Sequence, residues 1–125
     1  RAERVERRIE PIEERREAGN GAAMLAFDVY IHRLRAYLGA YIAQLGGVDV
    51  ISFTAGVGEN SPLVRAAALE TLGFLGVRVD PTRNEERRRG IRVISTDDSA
   101  VTVLVVPTNE ELEIARQTLT VTSAR

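Results

Sequence analysis

Hydrophobic positions along this chain follow two rhythms, one helical and long, the other short and nearly unbroken. Over residues 22–45, Phe27, Tyr30, Ile31, Leu34, Leu38, Tyr41, Ile42 and Leu45 recur with the 3.6-residue period of an amphipathic helix. Gly46-Gly47 end it, because glycine accepts the left-handed backbone of a helix C-terminus. Residues 48–53 form a short, β-branched, apolar run around Asp49, the pattern of a strand buried in a parallel sheet. A small, polar stretch follows, and then Ser61 and Pro62 pair a good N-cap with a good first helical residue. That pairing predicts a helix to about Leu72.

Residues 77–79 and 91–94 read as two shorter strands, separated by DPTRNEERRRG, a segment of turn residues and charge. Residues 101–106 are the strongest strand and run directly into a helix that starts near Thr108 and extends to about Leu119. Two buried strands, each feeding a helix, predict an α/β layer structure. Ahead of all this, residues 1–18 are mostly Arg and Glu, with Val5, Ile9 and Ile12 at helical spacing and Pro11 interrupting them. They read as a charged helical lead-in with a solvated face, closed by a turn at Gly19-Asn20-Gly21. The chain thus divides into a lead-in, 1–21, and a domain, 22–125.

Composition narrows the chemistry. A chain of 125 residues, 44% hydrophobic and 28% charged, reads as one globular unit able to own a core. Its 17 basic residues are all arginine and face 18 acids, so it lacks the uncompensated basic surface of a general nucleic-acid binder. Without lysine there is no Schiff base and no P-loop lysine, and without cysteine no thiol nucleophile, disulfide or thiolate metal site. No apolar stretch approaches a membrane span and no signal peptide opens the sequence. The expectation is a cytoplasmic protein with no nucleic-acid or membrane partner. Beginning at Arg1 rather than methionine, it is a candidate piece of a longer chain.

In an open α/β sheet, ligands bind beyond the carboxyl ends of the strands. The segment FTAGVGENSP, 53–62, lies at such an end. Gly56 and Gly58 have no side chain to hold off a ligand, and the helix after Ser61 offers its positive end. By spacing alone the segment fails the dinucleotide pattern, since Ser61 stands where a third glycine belongs. A tight structural turn and a ligand loop therefore remain equal alternatives.

In PTNEELEIAR, 107–116, Thr108 and Glu111 form a capping box. Glu110 is left over; complementing the helix dipole is its favoured reading, and ligating a hard cation such as Mg²⁺ is the alternative. His32, the only histidine, shares a stripe with Asp28 and Arg35 and reads as an exposed i,i+4 partner of Asp28. The cluster Arg87, Arg88, Arg89 reads as a solvated loop beside two glutamates rather than a phosphate contact.

Together, FTAGVGENSPLVR and VLVVPTNEELEIARQT resemble the C-terminal part of the acetate kinase family, and the resemblance extends from about Leu25 to Thr118. It implies the α/β fold of the acetate and sugar kinase, Hsc70 and actin (ASKHA) superfamily, in which RNase H-like domains close over ATP; the present chain would hold one of them in part. It also implies phosphoryl transfer from ATP to acetate, giving acetyl phosphate and ADP, in a homodimer that needs Mg²⁺. By position, Gly56, Val57, Gly58, Glu59 and Asn60 match the family's nucleotide loop, and Glu110 matches its magnesium-associated glutamate. Residues 22–125 would then be a partial C-terminal nucleotide-binding domain.

The family is much longer, and its catalytic groups belong to an N-terminal lobe whose motifs are not in this sequence. No residue here is assigned a catalytic role, His32 included. The segment is expected to be inactive alone and to need that lobe, ATP or ADP, a short-chain carboxylate and a second copy as partners. A propionate or butyrate kinase segment is an alternative, as is a non-enzymatic nucleotide-binding or dimerisation module. The long helix carries more apolar residues, including Tyr30, Tyr37 and Tyr41, than one buried stripe requires, which predicts a subunit contact.

Overall fold

The long helix forms where its period places it. α1 spans Gly21–Leu45 and buries Ala23, Phe27 and Ile31. Its end is closed by Gly46, at φ 75°, with the Gly46 N–H donating to Ala43 O at 3.3 Å and the Gly47 N–H to Ile42 O at 3.1 Å. The computed structural model describes Gly19 and residues 21–123, with the backbone alone at 110–112 and 122–123. The lead-in helix expected over 1–18 lies outside the described residues.

β1, Val50–Thr54, pairs in parallel with β3, Thr102–Val106, and β2, Arg92–Val93, adds antiparallel to the far side of β3. The order β1-β3-β2 makes the two strongest predicted strands neighbours. Their carboxyl ends therefore open side by side, with Thr54 opposite Val106. β1 is less buried than its composition suggests: Ile51 and Phe53 face the core, while Ser52 is exposed and Val50 is 51% exposed. With β3 as its one described neighbour, it lies at the edge of the described sheet and alternates as a half-buried strand does.

Residues 77–79 do not form the expected strand but a single bridge, Val79 to Ser95. Gly76 in the left-handed region on one side and the helix cap Asp80 on the other leave no length for a ladder. After β1 come α2, Gly56–Asn60, then α3, Pro62–Leu69, and a 3₁₀ segment, Glu70–Leu75. The helix predicted to reach Leu72 thus tightens after Leu69 and stops on Gly76. DPTRNEERRRG, read as turn and charge, contains a further helix, α4, Pro81–Glu85, capped by Asp80 accepting from the Arg83 N–H at 3.0 Å. α5, Thr108–Ser123, follows β3.

Ile51, Phe53, Val103 and Val105 from the sheet and Ile94, just after β2, pack against Leu69 and Leu72, and a second cluster joins Phe27 and Ile31 of α1 to Val57 and Val64. Burying side chains of this size stabilises by about 1.5–3 kcal/mol each. This fixes α1, α2 and α3 together at the exit of β1. Arg35 belongs to that packing rather than to a solvated stripe: it donates through Nε to Ala67 O at 3.0 Å and pairs with Glu70 at 3.3 Å. Asp28 and His32, by contrast, are exposed. Tyr37, Tyr41 and Leu45 of α1 are also exposed, at 67%, 63% and 74%, so the apolar surplus of the helix stays on the surface of this chain. Among the described residues, no helix is long and apolar enough to cross a membrane.

Candidate nucleotide site

The strand exit is built from an unusual backbone. Ala55 has φ 54° and ψ 144°, and Gly56 follows at φ 58°. A β-carbon at such angles stores strain on the order of 1–3 kcal/mol, which persists only where the surroundings enforce it. The chain turns sharply out of β1 and winds at once into α2. The stretch that reads equally as a tight structural turn or a ligand loop is a single helical turn.

Its five residues divide their work. Val57 is buried in the cluster with Phe27, Ile31 and Val64 and anchors the turn to the core. Gly56 supplies the left-handed angle, whereas Gly58 does not: a β-carbon at Gly58 would stand 3.4 Å from Phe53 Cδ1, an ordinary contact. Gly58 thus marks close packing of the turn on β1. The Asn60 Nδ2 donates to Gly56 O at 3.0 Å, locking the turn from the side. The positive end expected of the next helix is closed within the chain, because Ser61, itself buried, caps α3 by accepting from the Val64 N–H at 3.2 Å.

Glu59 links the two segments that sequence reasoning singled out. Its carboxylate accepts from the Thr108 N–H at 3.3 Å and from the Thr108 hydroxyl at 3.0 Å. Thr108 is the first residue of α5, so Glu59 satisfies a helix N–H that has no partner within its own helix. The Thr108 hydroxyl donates to Glu59, a partner the expected capping box did not include, and the Glu111 side chain of that box, like that of Glu110, lies outside the described residues. The backbone of Glu110 stands in the first turn of α5, beside the Glu59 contact. Among the described residues there is no cluster of three or more metal-binding side chains.

The residue that organises the site was not expected to. Arg65 on α3 is fully buried, and its guanidinium reaches both the strand exit and α4. Nη1 donates to Gly58 O at 3.0 Å and Glu59 O at 2.8 Å; Nε donates to Asn84 Oδ1 at 2.8 Å and Nη2 to Asn84 O at 2.7 Å. Asn84, also buried, returns a bond from Nδ2 to Pro62 O at 2.9 Å. One cation thereby collects the carbonyls at the ends of two short helices, where a positive charge is favoured. Burial, and then repulsion from Arg92, lowers its pKa to about 10, so it remains charged at neutral pH. A sequence signal existed, since position 65 shares the buried helical face with Ala68, Leu69 and Leu72.

The arrangement offers a strained, side-chain-poor backbone turn at the carboxyl ends of adjacent parallel strands, with two carboxylate-bearing segments meeting across it. That is a place for a ligand that approaches backbone closely and carries negative charge needing a cation.

The acetokinase family model matches residues 5–116. An acetate kinase of Leifsonia xyli subsp. xyli is 59% identical over 108 residues, which cover 86% of this chain and 27% of that protein. Among solved structures, the acetate kinase of Porphyromonas gingivalis superposes with a TM-score of 0.77 at 45% identity, over 90% of this chain and 28% of that one. A propionate kinase from Francisella tularensis subsp. tularensis gives a TM-score of 0.71 at 28% identity, over 86% and 27%. The chain spans about a quarter of the length of the relatives it matches.

Proposed function

This chain belongs to the acetokinase family, and from that premise we propose that residues 22–125 are the nucleotide-binding, C-terminal part of an acetate kinase. The observation that carries the reading is the Glu59–Thr108 contact, which joins the strained exit of β1 to the first turn of α5 at one end of a parallel strand pair. Gly56, Val57, Gly58, Glu59 and Asn60 would hold ATP, with Val57 anchoring the turn from within and the backbone of its neighbours facing the nucleotide.

Glu110 would hold Mg²⁺. A single carboxylate suits that ion, which keeps several waters and takes its remaining ligands from phosphate oxygens. Bound there, Mg²⁺ supplies charge neutralisation at the phosphates. Arg65 keeps the carbonyls of Gly58 and Glu59 turned inward, so the turn does not present them to an anionic ligand.

In the reaction, an acetate carboxylate oxygen forms a bond to the γ-phosphorus while the bond to the leaving ADP oxygen breaks. Catalysis of such a transfer rests on positioning and on neutralising charge around the moving group. The chain would provide the nucleotide wall of that site in a cytoplasmic homodimer, and an N-terminal lobe the remainder. ATP calorimetry, with trapping of acetyl phosphate as its hydroxamate, tests this. The chain alone should bind ATP weakly and form no acetyl phosphate, and adding the N-terminal lobe should restore some turnover. Turnover by the chain alone would overturn the reading. Acceptance of propionate in preference to acetate would favour the second reading, a propionate kinase, which the similarity to the Francisella enzyme supports.

A further inference from the structure

Beside the strand exit, on the β2 side of the sheet, a cavity of about 520 Å³ opens between the start of α3, the residues that follow α4 and the end of β3. Five arginines line it: Arg65, Arg87, Arg88, Arg89 and Arg92. Three glutamates share the wall, so cations are in excess. Two of those carboxylates are already engaged, Glu59 with Thr108 and Glu86 with Arg88 at 3.0 Å.

The deeper arginines make their direct hydrogen bonds to uncharged acceptors. Arg65 is bound to carbonyls and to the Asn84 side chain, and Arg92 donates to Arg83 O. Arg92 is held below its ordinary pKa by burial, with Glu86 opposing the shift and Arg88 adding to it, and Arg65 is lowered by burial and by Arg92. These cations repel one another inside a partly enclosed space. Arg87 and Arg89 line the same space and are exposed to solvent. Five guanidinium groups against three carboxylates leave this concave surface net cationic, which concentrates anions, and guanidinium forks match the paired oxygens of phosphate or carboxylate.

We propose that this cavity, which borders the strand-exit turn at Glu59 and Asn60, is a second anion site, taking a small, multiply charged oxyanion such as inorganic phosphate between Arg87, Arg89 and Arg92. The phosphate chemistry could come from the free ion or from a nucleotide, and competition distinguishes the two. The chain is titrated with inorganic phosphate by calorimetry, at ionic strength held constant with sodium chloride, with and without saturating ATP. The same titration is run on a double variant, Arg87→Gln with Arg89→Gln, whose side chains are exposed in the parent and whose fold is checked by circular dichroism.

Saturable binding of one phosphate is expected, weakened about tenfold or more in the double variant, as for loss of a charge-assisted hydrogen bond, and unchanged by ATP. No saturable binding above the chloride background, or equal binding by parent and variant, would overturn the site. Displacement by ATP would also overturn it, by making the cavity a nucleotide phosphate subsite. Should ATP itself fail to bind, the phosphate titration and the variant still decide.

Discussion

The carboxylate of Glu59 on α2 accepts two hydrogen bonds from Thr108 at the start of α5, at 3.3 Å and 3.0 Å, across 49 residues of sequence. It is a helix cap supplied from another element. Removing it by Glu59→Ala should lower stability by about 1 kcal/mol, the scale of a lost cap, while Glu59→Gln keeps an acceptor and should stay within roughly half of that. Urea unfolding measures both; the midpoint should move without a change in slope. Hydrogen exchange at the Thr108 amide should accelerate in Glu59→Ala alone.

Arg65 should be the most sensitive polar position in the chain. Arg65→Ala leaves the part-buried Gly58 O and Glu59 O and the buried Asn84 groups without this donor, and should destabilise by about 3–5 kcal/mol, the scale of breaking a buried charged network. Its charge also fixes the pH response. The folded-state pKa, about 10, is lower than that of the unfolded chain, so between about pH 6 and pH 9 both states hold the proton. The stability difference between the parent and Arg65→Met should be flat over that window. Above about pH 10 the folded state releases its proton first, the unfolded state binds more, and the parent should gain relative to the variant. A difference that varies across neutral pH would contradict this assignment.

Two glycines should respond in opposite ways to the same substitution. Gly76 has φ 87°, and a β-carbon there would lie 2.5 Å from Ala100 Cβ, so Gly76→Ala meets strain and collision together. A loss of about 2 kcal/mol or more is expected. Gly58 lies outside the left-handed region and its β-carbon would only touch Phe53, so Gly58→Ala should change stability by less than about 1 kcal/mol. Thermal unfolding of the two variants beside the parent makes the comparison.

Local signals in the sequence were reliable where the chemistry itself is local. Ser61-Pro62 reads as a helix start because cap and proline act within four residues, and the structure has that cap. The same pairing at Asp80-Pro81 opens α4, yet the arginines after it make the stretch read as a turn. Thr108 and Glu111 have the spacing of a capping box, but the Thr108 hydroxyl also donates to Glu59, 49 residues away, and no local pattern contains that partner. The α/β layering follows from strands that feed helices. The short helical turn at 56–60 does not, since two consecutive residues with positive φ, one of them alanine, are a product of packing around Val57.

The last prediction concerns that alanine. In most places Ala→Gly costs up to about 1 kcal/mol, because glycine has more freedom to lose on folding. At Ala55 the folded backbone sits at φ 54° and ψ 144°, where a β-carbon is strained and glycine is not. Relief of strain opposes the entropy term, so Ala55→Gly should leave stability unchanged or raise it by about 1 kcal/mol, measured by urea unfolding. Ligand binding should move the other way. If the strained exit holds the α2 turn ready for a nucleotide, a freer residue lets the turn sample other conformations, and binding must then order it again. ATP affinity measured by calorimetry should therefore fall several-fold in Ala55→Gly even as the fold becomes no weaker. A variant that is destabilised like an ordinary Ala→Gly change would show that the angle at Ala55 carries no strain, and unchanged ATP affinity would remove the exit from the binding site.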